Sequence, residues 1–450
     1  MDQTKKSKTR FFLALIIFSL IGQVAWIIEN MYLNVFIYKM FNASAADISA
    51  MVAASSVAAT LTTIFIGALS DKIGKRKVII SLGYILWGIS IVGFALVRED
   101  IVGAIFPGAV SVSAICITLV IILDCVMTFF GSSANDAAFN AWLTDATRNS
   151  GRGAAEGINS MMPLVAILVV FGGFLAFDLN EQSAWTAIFI IIGVIVLAIG
   201  VLGMFIIDEA TPESSENKNY WANIIYGFRP SVMKQNPILY LTLIAFAVFG
   251  ISINIFMPYL ILYYNVTLAL ENYVLIMAPA VIVASAVTFF WGRFYDKAGF
   301  EKSLVPALAM LGAGYITLFF FTNIVLVFIG SLLMMSGYLS GMAVFGAMVR
   351  DNTPEKKAGM FQGLRIVGQV LIPGIIGPAI GALVLQNAEK IVGDDGTESF
   401  IPNANIFLAA LAVLIVLAIV AALLFLMLKK AKTPMLIEDG GEAEIQSKES

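Results

Sequence analysis

The chain has 450 residues, of which 60% are hydrophobic and 13% are charged, and its mean hydropathy is +0.91. Soluble domains are about 45–50% apolar and about 25% charged, so this composition excludes an ordinary soluble protein and indicates one with many membrane spans. The net charge of −3 and the lack of any basic domain give no reason to expect a nucleic-acid partner. Because the chain contains no histidine, histidine-based metal sites and Ser-His catalysis are excluded. We also expect no cofactor, no metal site and no enzymatic activity.

Twelve apolar segments follow one another along the chain, each close to the ~20 residues that a membrane-spanning helix needs. They lie at about 11–38, 48–69, 77–97, 111–135, 156–178, 184–207, 238–264, 272–292, 303–321, 324–348, 361–386 and 403–428. The first segment follows a basic stretch, as in a signal peptide, but it is too long and lacks a cleavage site of small residues. We therefore predict an all-α membrane protein with twelve transmembrane helices.

The distribution of Lys and Arg predicts the orientation of these helices. With the N-terminus inside the cell, the outer loops contain only Lys39, Arg98 and Lys390 of the 27 basic residues. Cytoplasmic loops of membrane proteins carry an excess of bases, so this placement is favoured. An even number of spans then puts both termini in the cytoplasm of a multi-pass protein of the cell membrane.

Two landmarks recur in the second half of the chain in the same order. The segment GALSDKIGKRK at 67–77 is echoed 225 residues later by WGRFYDKAGFEK at 291–302. Asp145 and the residues after it are echoed by Asp351 and its successors at an offset of 206. Two similar halves in a membrane protein are typical of secondary transporters.

The polar stretches divide the chain. We expect an N-terminal six-helix bundle over 1–207, a cytoplasmic linker over 208–237, a C-terminal six-helix bundle over 238–430 and a disordered cytoplasmic tail over 431–450. The linker contains three prolines, and its stretch from Asn219 to Lys234 is interpreted as a short helix at the membrane surface. The tail is acidic and polar, which is typical of disorder.

These features resemble the major facilitator superfamily over the whole chain, because segment 67–77 is similar to the family's loop motif between the second and third helices. Within it, GALSD at 67–71, NAWLTD at 140–145 and RDNTPEKKAGMFQGLR at 350–365 are most similar to glycoside–pentoside–hexuronide:cation symporters and related sugar transporters. The resemblance implies a monomer whose two six-helix bundles rock about a central site. It also implies that a cation gradient drives sugar uptake.

One departure from that branch concerns the second helix. Such symporters usually carry acidic residues there that help to bind the coupling cation. In this chain the second helix offers hydroxyl groups instead, including Ser55, Ser56 and Thr60, and no acid precedes Asp71. The resemblance therefore does not supply the coupling residues from this helix.

Charged side chains inside spans are the first candidates for a functional site. Each costs about 2.5–3.5 kcal/mol at mid-helix, so such residues usually face a cavity. In the first span, Gln23, Trp26 and Asn30 are spaced to share one helix face, and Glu29 borders it. A carboxylate, amides and an indole suit a sugar, because they bind hydroxyl groups and the apolar face of the ring. Alternatively, Glu29 is a structural acid that pairs with a neighbouring helix.

The fourth span carries two further acids. Asp124 and Thr128 lie one turn apart and are both predicted to bind substrate, and Asp136 continues the polar stripe toward the cytoplasm. A carboxyl group removed from water can take up and release a proton near neutral pH, so Asp124 and Glu29 are the predicted residues for cation coupling. The alternative is an Asp held by hydrogen bonds between helices. Asp136 is assigned either to the substrate site or to a cytoplasmic gate.

The second half contributes one intramembrane base, Arg365. It follows Gln362 by three residues and precedes Gln369 by four, so the three side chains share a face. Gln362 and Gln369 are predicted to bind substrate. Arg365 is predicted to bind substrate oxygens or to be the counter-ion of an acid, and a cytoplasmic pairing with Asp71 or a helix end is the alternative. Asn254 in the seventh span is a weaker candidate for substrate binding.

The repeated loop motif is predicted to form a cytoplasmic gate. Asp71 and Asp296 sit at helix ends beside bases, where a carboxylate can bind backbone N–H groups or an arginine and release them in another state. A solvated turn is the alternative, but it does not explain why the Asp and two glycines recur. The predicted gate comprises Gly67, Asp71, Gly74, Arg76, Asp136, Asp145, Asp296 and Asp351.

The sequence leaves three candidate functions to compare. The first is an importer of a sugar or another polar solute, coupled to protons or sodium ions. The second is an exporter, such as a proton-coupled antiporter for drugs or metabolites. The third, a membrane enzyme or sensor, lacks support because the sequence has no nucleophile motif, phosphate loop or extramembrane domain. The polar wall of amides and carboxylates favours the importer.

Overall fold

The protein consists almost entirely of long helices. The computed structural model describes residues 2–147, 152–209, 226–270, 272–353, 358–392 and 398–432. Within these ranges, eleven helices are long and apolar enough to cross a membrane. They are Thr9–Phe41, Ala45–Gly67, Arg76–Phe94, Val112–Ala146, Gly157–Phe174, Gln182–Ile206, Pro237–Thr267, Val274–Phe320, Ile324–Asn352, Gly363–Leu385 and Asn405–Lys430.

The helix Val274–Phe320 is two spans joined by a sharp turn. Trp291 Nε1 donates a hydrogen bond to Ser303 O at 3.1 Å, although 12 residues of straight helix would separate them by roughly 18 Å. The chain reverses at Gly299, whose φ of 79° and ψ of 178° are not helical. The eleven helices therefore contain twelve spans, which confirms the predicted number, and the first and last described spans begin and end on the same side of the bundle. We call this the terminal side and the opposite one the far side.

Two repeated glycines of the loop motif have a backbone reason for their identity. Gly74 ends the second helix, Ala45–Ile73, with a φ of 69°, and its equivalent Gly299 has a φ of 79°. Residues with a Cβ rarely adopt positive φ, so glycine is favoured at both turns.

The two halves touch along the second and eleventh spans. Gly374 faces Ser56 so closely that a Cβ at Gly374 would lie 1.9 Å from Ser56 Oγ. Nearer the terminal side, a Cβ at Gly363 would lie 3.7 Å from Ile64. Contacts of this kind place the polar stretch of the eleventh span beside the first half.

On the far side, a two-stranded antiparallel ribbon, Lys390–Val392 with Glu398–Phe400, connects the last two spans. Tyr38 of the first span donates a hydrogen bond to Phe400 O at 2.6 Å. The exposed Lys390 side chain pairs with Glu398 at 2.6 Å and holds the pKa of that carboxyl below its usual range. The ribbon thus fastens the end of the first span to the second half.

Shorter elements complete the described chain. Glu99–Ile105 is a helix between the third and fourth spans, and Pro230–Gln235 is a helix just before the seventh. The latter includes the end of the helix predicted from Asn219 to Lys234, whose residues before 226 lie outside the described residues. The predicted tail lies outside them from residue 433 onward. Four segments adopt the wider π-helical turn: Ile28–Tyr32, Ser132–Phe139, Tyr263–Thr267 and Val367–Leu371.

Candidate functional site

The first and fourth spans bring two buried carboxylates together. Glu29 and Asp124 are 6% and 1% exposed and interact electrostatically. Thr128 Oγ1, one turn after Asp124, donates a hydrogen bond to Glu29 Oε1 at 2.8 Å. Ser55 of the second span lies beside the Asp124 carboxylate. Three helices therefore converge on one acidic centre, which we call the carboxylate pair.

Each member of the carboxylate pair has one oxygen that lacks a hydrogen-bond donor among the described residues. Glu29 Oε2 and Asp124 Oδ1 are buried and have no hydrogen-bond partner among the described residues. A buried anionic oxygen without a donor is strongly unfavourable, and two such anions side by side repel each other. A proton or a small cation at these oxygens would remove both penalties. Among the described residues, no cluster of three or more metal-binding side chains surrounds them.

Asp136 forms a second acidic position in the π-helical segment of the fourth span. Its Oδ2 accepts from Ser132 Oγ at 3.1 Å, its Oδ1 accepts from Asn135 Nδ2 at 3.3 Å, and Trp26 lies beside it. Tyr84 of the third span donates to Asn135 Oδ1 at 2.9 Å and so holds this segment in place. Asp136 is also close enough to Glu29 to act on it electrostatically.

The predicted polar face of the first span is interrupted by a π-helical turn. Gln23 and Trp26 are half-buried, whereas Asn30 is exposed and its Nδ2 donates to Trp26 O at 2.8 Å. Glu29 lies inside the π-helical segment Ile28–Tyr32 and points toward the fourth span. Such turns are rare and frequently occur at functional sites. Side-chain spacing in the sequence predicts a regular helix here and does not reveal the π-helical turn.

The second half contributes amides and one guanidinium. Arg365 is half-buried, and its Nε donates to Gln369 Oε1 at 3.2 Å. Gln369 lies in the π-helical segment Val367–Leu371, and its Nε2 has no partner among the described residues. Asn254 is half-buried, and its Nδ2 donates to Gly250 O at 2.9 Å. The side chain of Gln362 lies outside what the structure describes.

The predicted gate residues of the first half surround a buried ion pair. Arg76 at the start of the third span lies 3.3 Å from Asp145 Oδ2, and the two side chains are 4% and 8% exposed. Arg76 Nη1 also donates to Ser70 Oγ at 2.6 Å. Gly67 faces the fourth span near Ala137. The arginine therefore ties the ends of the second, third and fourth spans together on the terminal side, while the side chain of Asp71 lies outside what the structure describes.

In the second half, a different contact joins the helix ends that correspond to those held by Arg76 and Asp145. Tyr295, which corresponds to Ser70, donates its hydroxyl proton directly to Asp351 Oδ2 at 2.6 Å. Asp351, the counterpart of Asp145, is exposed, and so is Asp296. Position 301, which corresponds to Arg76, is a glutamate in this half. In the second half a tyrosine contacts the aspartate directly, whereas in the first half an arginine connects the serine to the aspartate. The sequence repeat alone did not reveal this difference.

Comparisons with known proteins agree on the architecture. A family model described as Major Facilitator Superfamily matches residues 11–343 and 275–446. A mutant form of the nucleoside transporter NupG superposes with a TM-score of 0.71 at 13% identity, over 92% of this chain and 99% of that one. A bacterial homologue of the human lysosomal transporter Spinster, in an inward-facing and unoccupied conformation, superposes with a TM-score of 0.67 at 18% identity, over 95% and 99% of the two chains. A search of curated protein sequences finds no significant match.

Proposed function

Because this chain belongs to the Major Facilitator Superfamily, we propose that it is a secondary active transporter that imports a sugar or another polar solute, driven by a gradient of protons or sodium ions. We place it in the cell membrane, as a monomer, with both termini in the cytoplasm. The observation that carries the proposal is the carboxylate pair. Glu29 Oε2 and Asp124 Oδ1 are buried and have no hydrogen-bond partner in the part of the chain that the structure describes, and a cation would neutralise them.

In this proposal the carboxylate pair binds the coupling cation. Thr128 orients Glu29 through its hydrogen bond to Oε1, so Oε2 is left to bind the cation. The electrostatic link between Glu29 and Asp124 means that the first cation relieves repulsion as well as desolvation. A single proton or sodium ion is therefore bound more tightly than a second one.

The solute is assigned to the space between the two halves. Gln23, Trp26 and Asn30 from the first span, with Asn254, Gln369 and Arg365 from the second half, supply hydrogen-bonding groups and one aromatic face. The half-buried indole of Trp26 lies beside Asp136. A sugar ring needs both kinds of contact, because its hydroxyl groups form hydrogen bonds and its C–H face packs on an aromatic ring.

Transport requires the site to open to one side at a time. Contacts between the halves on the far side include Ser399 Oγ to Asn42 Oδ1 at 2.6 Å and Tyr259 OH to Ala45 O at 3.0 Å. If both termini are cytoplasmic, the far side faces outward, and these contacts close the path from the site to the outside of the cell. The similar Spinster homologue is likewise inward-facing. The Arg76–Asp145 and Tyr295–Asp351 contacts each lie within one half, on the terminal side. We assign these residues to the cytoplasmic gate, where the two contacts keep the helix ends of each half together while the halves rock.

The experiment that tests this proposal is uptake into proteoliposomes. A panel of labelled mono- and disaccharides, with uridine as a nucleoside, is supplied with a proton gradient, a sodium gradient or neither. Accumulation of one solute under one gradient is expected and identifies the solute and the ion together. Efflux of solutes driven by an inward proton gradient, with no sugar uptake, would contradict the importer and favour an antiporter.

A further inference from the structure

A groove runs along the surface of the second half, between the twelfth span and the ninth span, which follows Gly299. The two helices are antiparallel neighbours, because a Cβ at Gly312 would lie 3.3 Å from Leu414 and the rings of Phe300 and Phe425 lie 5.9 Å apart. The groove has a volume of about 410 Å³ and is lined only by apolar residues. Four of these residues are small and leave room between the helices: Ala309, Gly312, Ala313 and Ala418.

This groove opens toward the hydrocarbon of the membrane. The apolar side chains of Val305, Ile316, Ile415 and Ile419, on the same two helices, are exposed. Lipid tails are as apolar as these side chains, so an acyl chain in the groove gains packing contacts but no hydrophobic driving force. Selection of one kind of lipid therefore requires a polar group at the end of the groove.

Two lysines supply such a group on the terminal side. Lys302 precedes Ala309 by seven residues and Lys429 follows Ala418 by eleven, so each lies on the groove face of its helix, two or three turns away. These intervals correspond to roughly 10 and 16 Å along the helix axes. Both side chains are exposed where the two helices reach the membrane surface. The groove and the lysines are thus placed as the acyl chain and the phosphate of one lipid are.

The charges at this end of the groove favour an anion. Lys429 lies 3.7 Å from Glu301, and both side chains are well exposed, so this pair contributes little to stability. Lys302 pairs with no carboxylate in the part of the chain that the structure describes. With Lys430, three bases stand beside one acid. Bases clustered at the membrane surface attract anionic lipids.

We propose that this groove binds an anionic phospholipid from the leaflet on the terminal side. One acyl chain lies between the ninth and twelfth spans, and the phosphate lies at Lys302 and Lys429. A second copy of the chain is a less suitable occupant, because two copies in one membrane have the same orientation. A symmetric contact through the groove would bring their lysines together at the same depth, where like charges repel.

The headgroup contact is tested by native mass spectrometry of the full chain in detergent micelles. Phosphatidylglycerol and phosphatidylcholine with identical acyl chains are titrated separately. The wild type is expected to bind the first phosphatidylglycerol at least about tenfold more tightly, as the attraction of two surface bases implies. Lys302→Gln/Lys429→Gln should lose most of this preference. Lys234→Gln/Lys430→Gln is the matched control, because it removes the same charge from exposed positions off the groove face.

The acyl-chain contact is tested from exposed positions of the twelfth span. Ala418→Leu places a larger side chain in the groove and should weaken binding of both lipids. Ala412→Leu is the matched control, because Ala412 is exposed on the same helix but does not line the groove. Melting temperatures without added lipid should be the same for these variants and the wild type, since neither alanine is buried.

Three results would overturn the proposal. Equal affinity of the wild type for the two lipids, or a preference kept by Lys302→Gln/Lys429→Gln, would show that the lysines hold no headgroup. Equal lipid binding by Ala418→Leu and Ala412→Leu would show that no acyl chain lies in the groove. A dimer of the wild type that Ala418→Leu abolishes would assign the groove to a second copy. Solute uptake is measured separately, so none of these outcomes bears on the proposed function.

Discussion

The hydroxyl groups of Tyr32 and Tyr273 lie 3.1 Å apart and join the first span to the eighth, across the two halves. Both side chains are buried, with exposures of 0% and 4%. Tyr32 is the last residue of the π-helical segment that contains Glu29. The acidic centre and this contact between the two halves therefore share one turn of helix. A shift of this turn when a cation binds Glu29 would act directly on the contact between the halves.

Removing this contact should open the far side more often. We expect Tyr273→Phe to raise the labelling rate of a thiol at Ala43→Cys by up to roughly tenfold, because one hydrogen bond contributes about 0.5–1.5 kcal/mol. The two native cysteines, Cys116 and Cys125, are free and are first replaced by alanine. Tyr263→Phe is the control, since that hydroxyl donates to Leu318 O within the second half. An unchanged rate in Tyr273→Phe would separate the tyrosine pair from gating.

Neutralising the carboxylate pair should uncouple transport from the gradient. Glu29→Gln and Asp124→Asn are expected to abolish accumulation of the solute while still allowing exchange of labelled for unlabelled solute, because solute binding does not need the cation site. Uptake and counterflow are measured on the same vesicles. Glu181→Gln, an exposed acid at the start of the sixth span, is the control. Normal accumulation in both variants would remove the pair from coupling.

Thr128, which is uncharged, should affect the affinity of the carboxylate pair for the cation through its hydrogen bond to Glu29. Thr128→Val keeps the shape of the side chain and removes the donor to Glu29 Oε1. A hydrogen bond to a charged group contributes about 1.5–3 kcal/mol, so the cation concentration for half-maximal uptake is expected to change at least about tenfold. Thr118→Val, whose hydroxyl bonds its own helix at Ala114 O, should behave as wild type. A cation dependence identical to wild type in Thr128→Val would speak against the assigned role.

The two halves should respond unequally to loss of the gate acids. Asp145→Asn weakens a buried ion pair with Arg76, and removing one partner of such a pair destabilises by about 3–5 kcal/mol. Asp351→Asn is exposed and still accepts from Tyr295, so it should lower stability by about 1 kcal/mol or less. Thermal unfolding of the purified variants in detergent measures both. Similar losses of thermal stability in the two variants would show that the Arg76–Asp145 and Tyr295–Asp351 contacts contribute equally.

Substitution of the glycines at the two turns should lower stability because of their backbone conformation alone. At Gly299 a Cβ would meet nothing within 4 Å, but φ is 79°. Gly299→Ala is therefore expected to destabilise by roughly 1–2 kcal/mol through conformational strain. Gly292→Ala is the matched control, since a Cβ there also meets nothing and the helix is regular. Equal melting temperatures for the two variants would contradict this explanation.

The twelve spans and the two-fold repeat were predictable from the sequence because both are local properties. A run of apolar residues long enough to cross the hydrocarbon layer can be identified without knowing its neighbours. The glycine of each repeated motif marks a turn for an equally local reason, since Gly74 and Gly299 both need positive φ. The acids inside the spans could also be singled out, because any charge in such a segment is unusual.

Which of these groups meet was decided by the tertiary structure. The contacts of Thr128 with Glu29 and of Arg76 with Asp145 join residues 99 and 69 positions apart, and depend on how each helix is rotated about its axis. The π-helical segments change that rotation, because each inserts extra backbone into a turn and moves the following side chains around the helix. Periodicity in the sequence assumes a constant turn and cannot detect such a change. The sequence therefore determined the number of spans and their charged residues, while the packing of the helices determined which charges share one site.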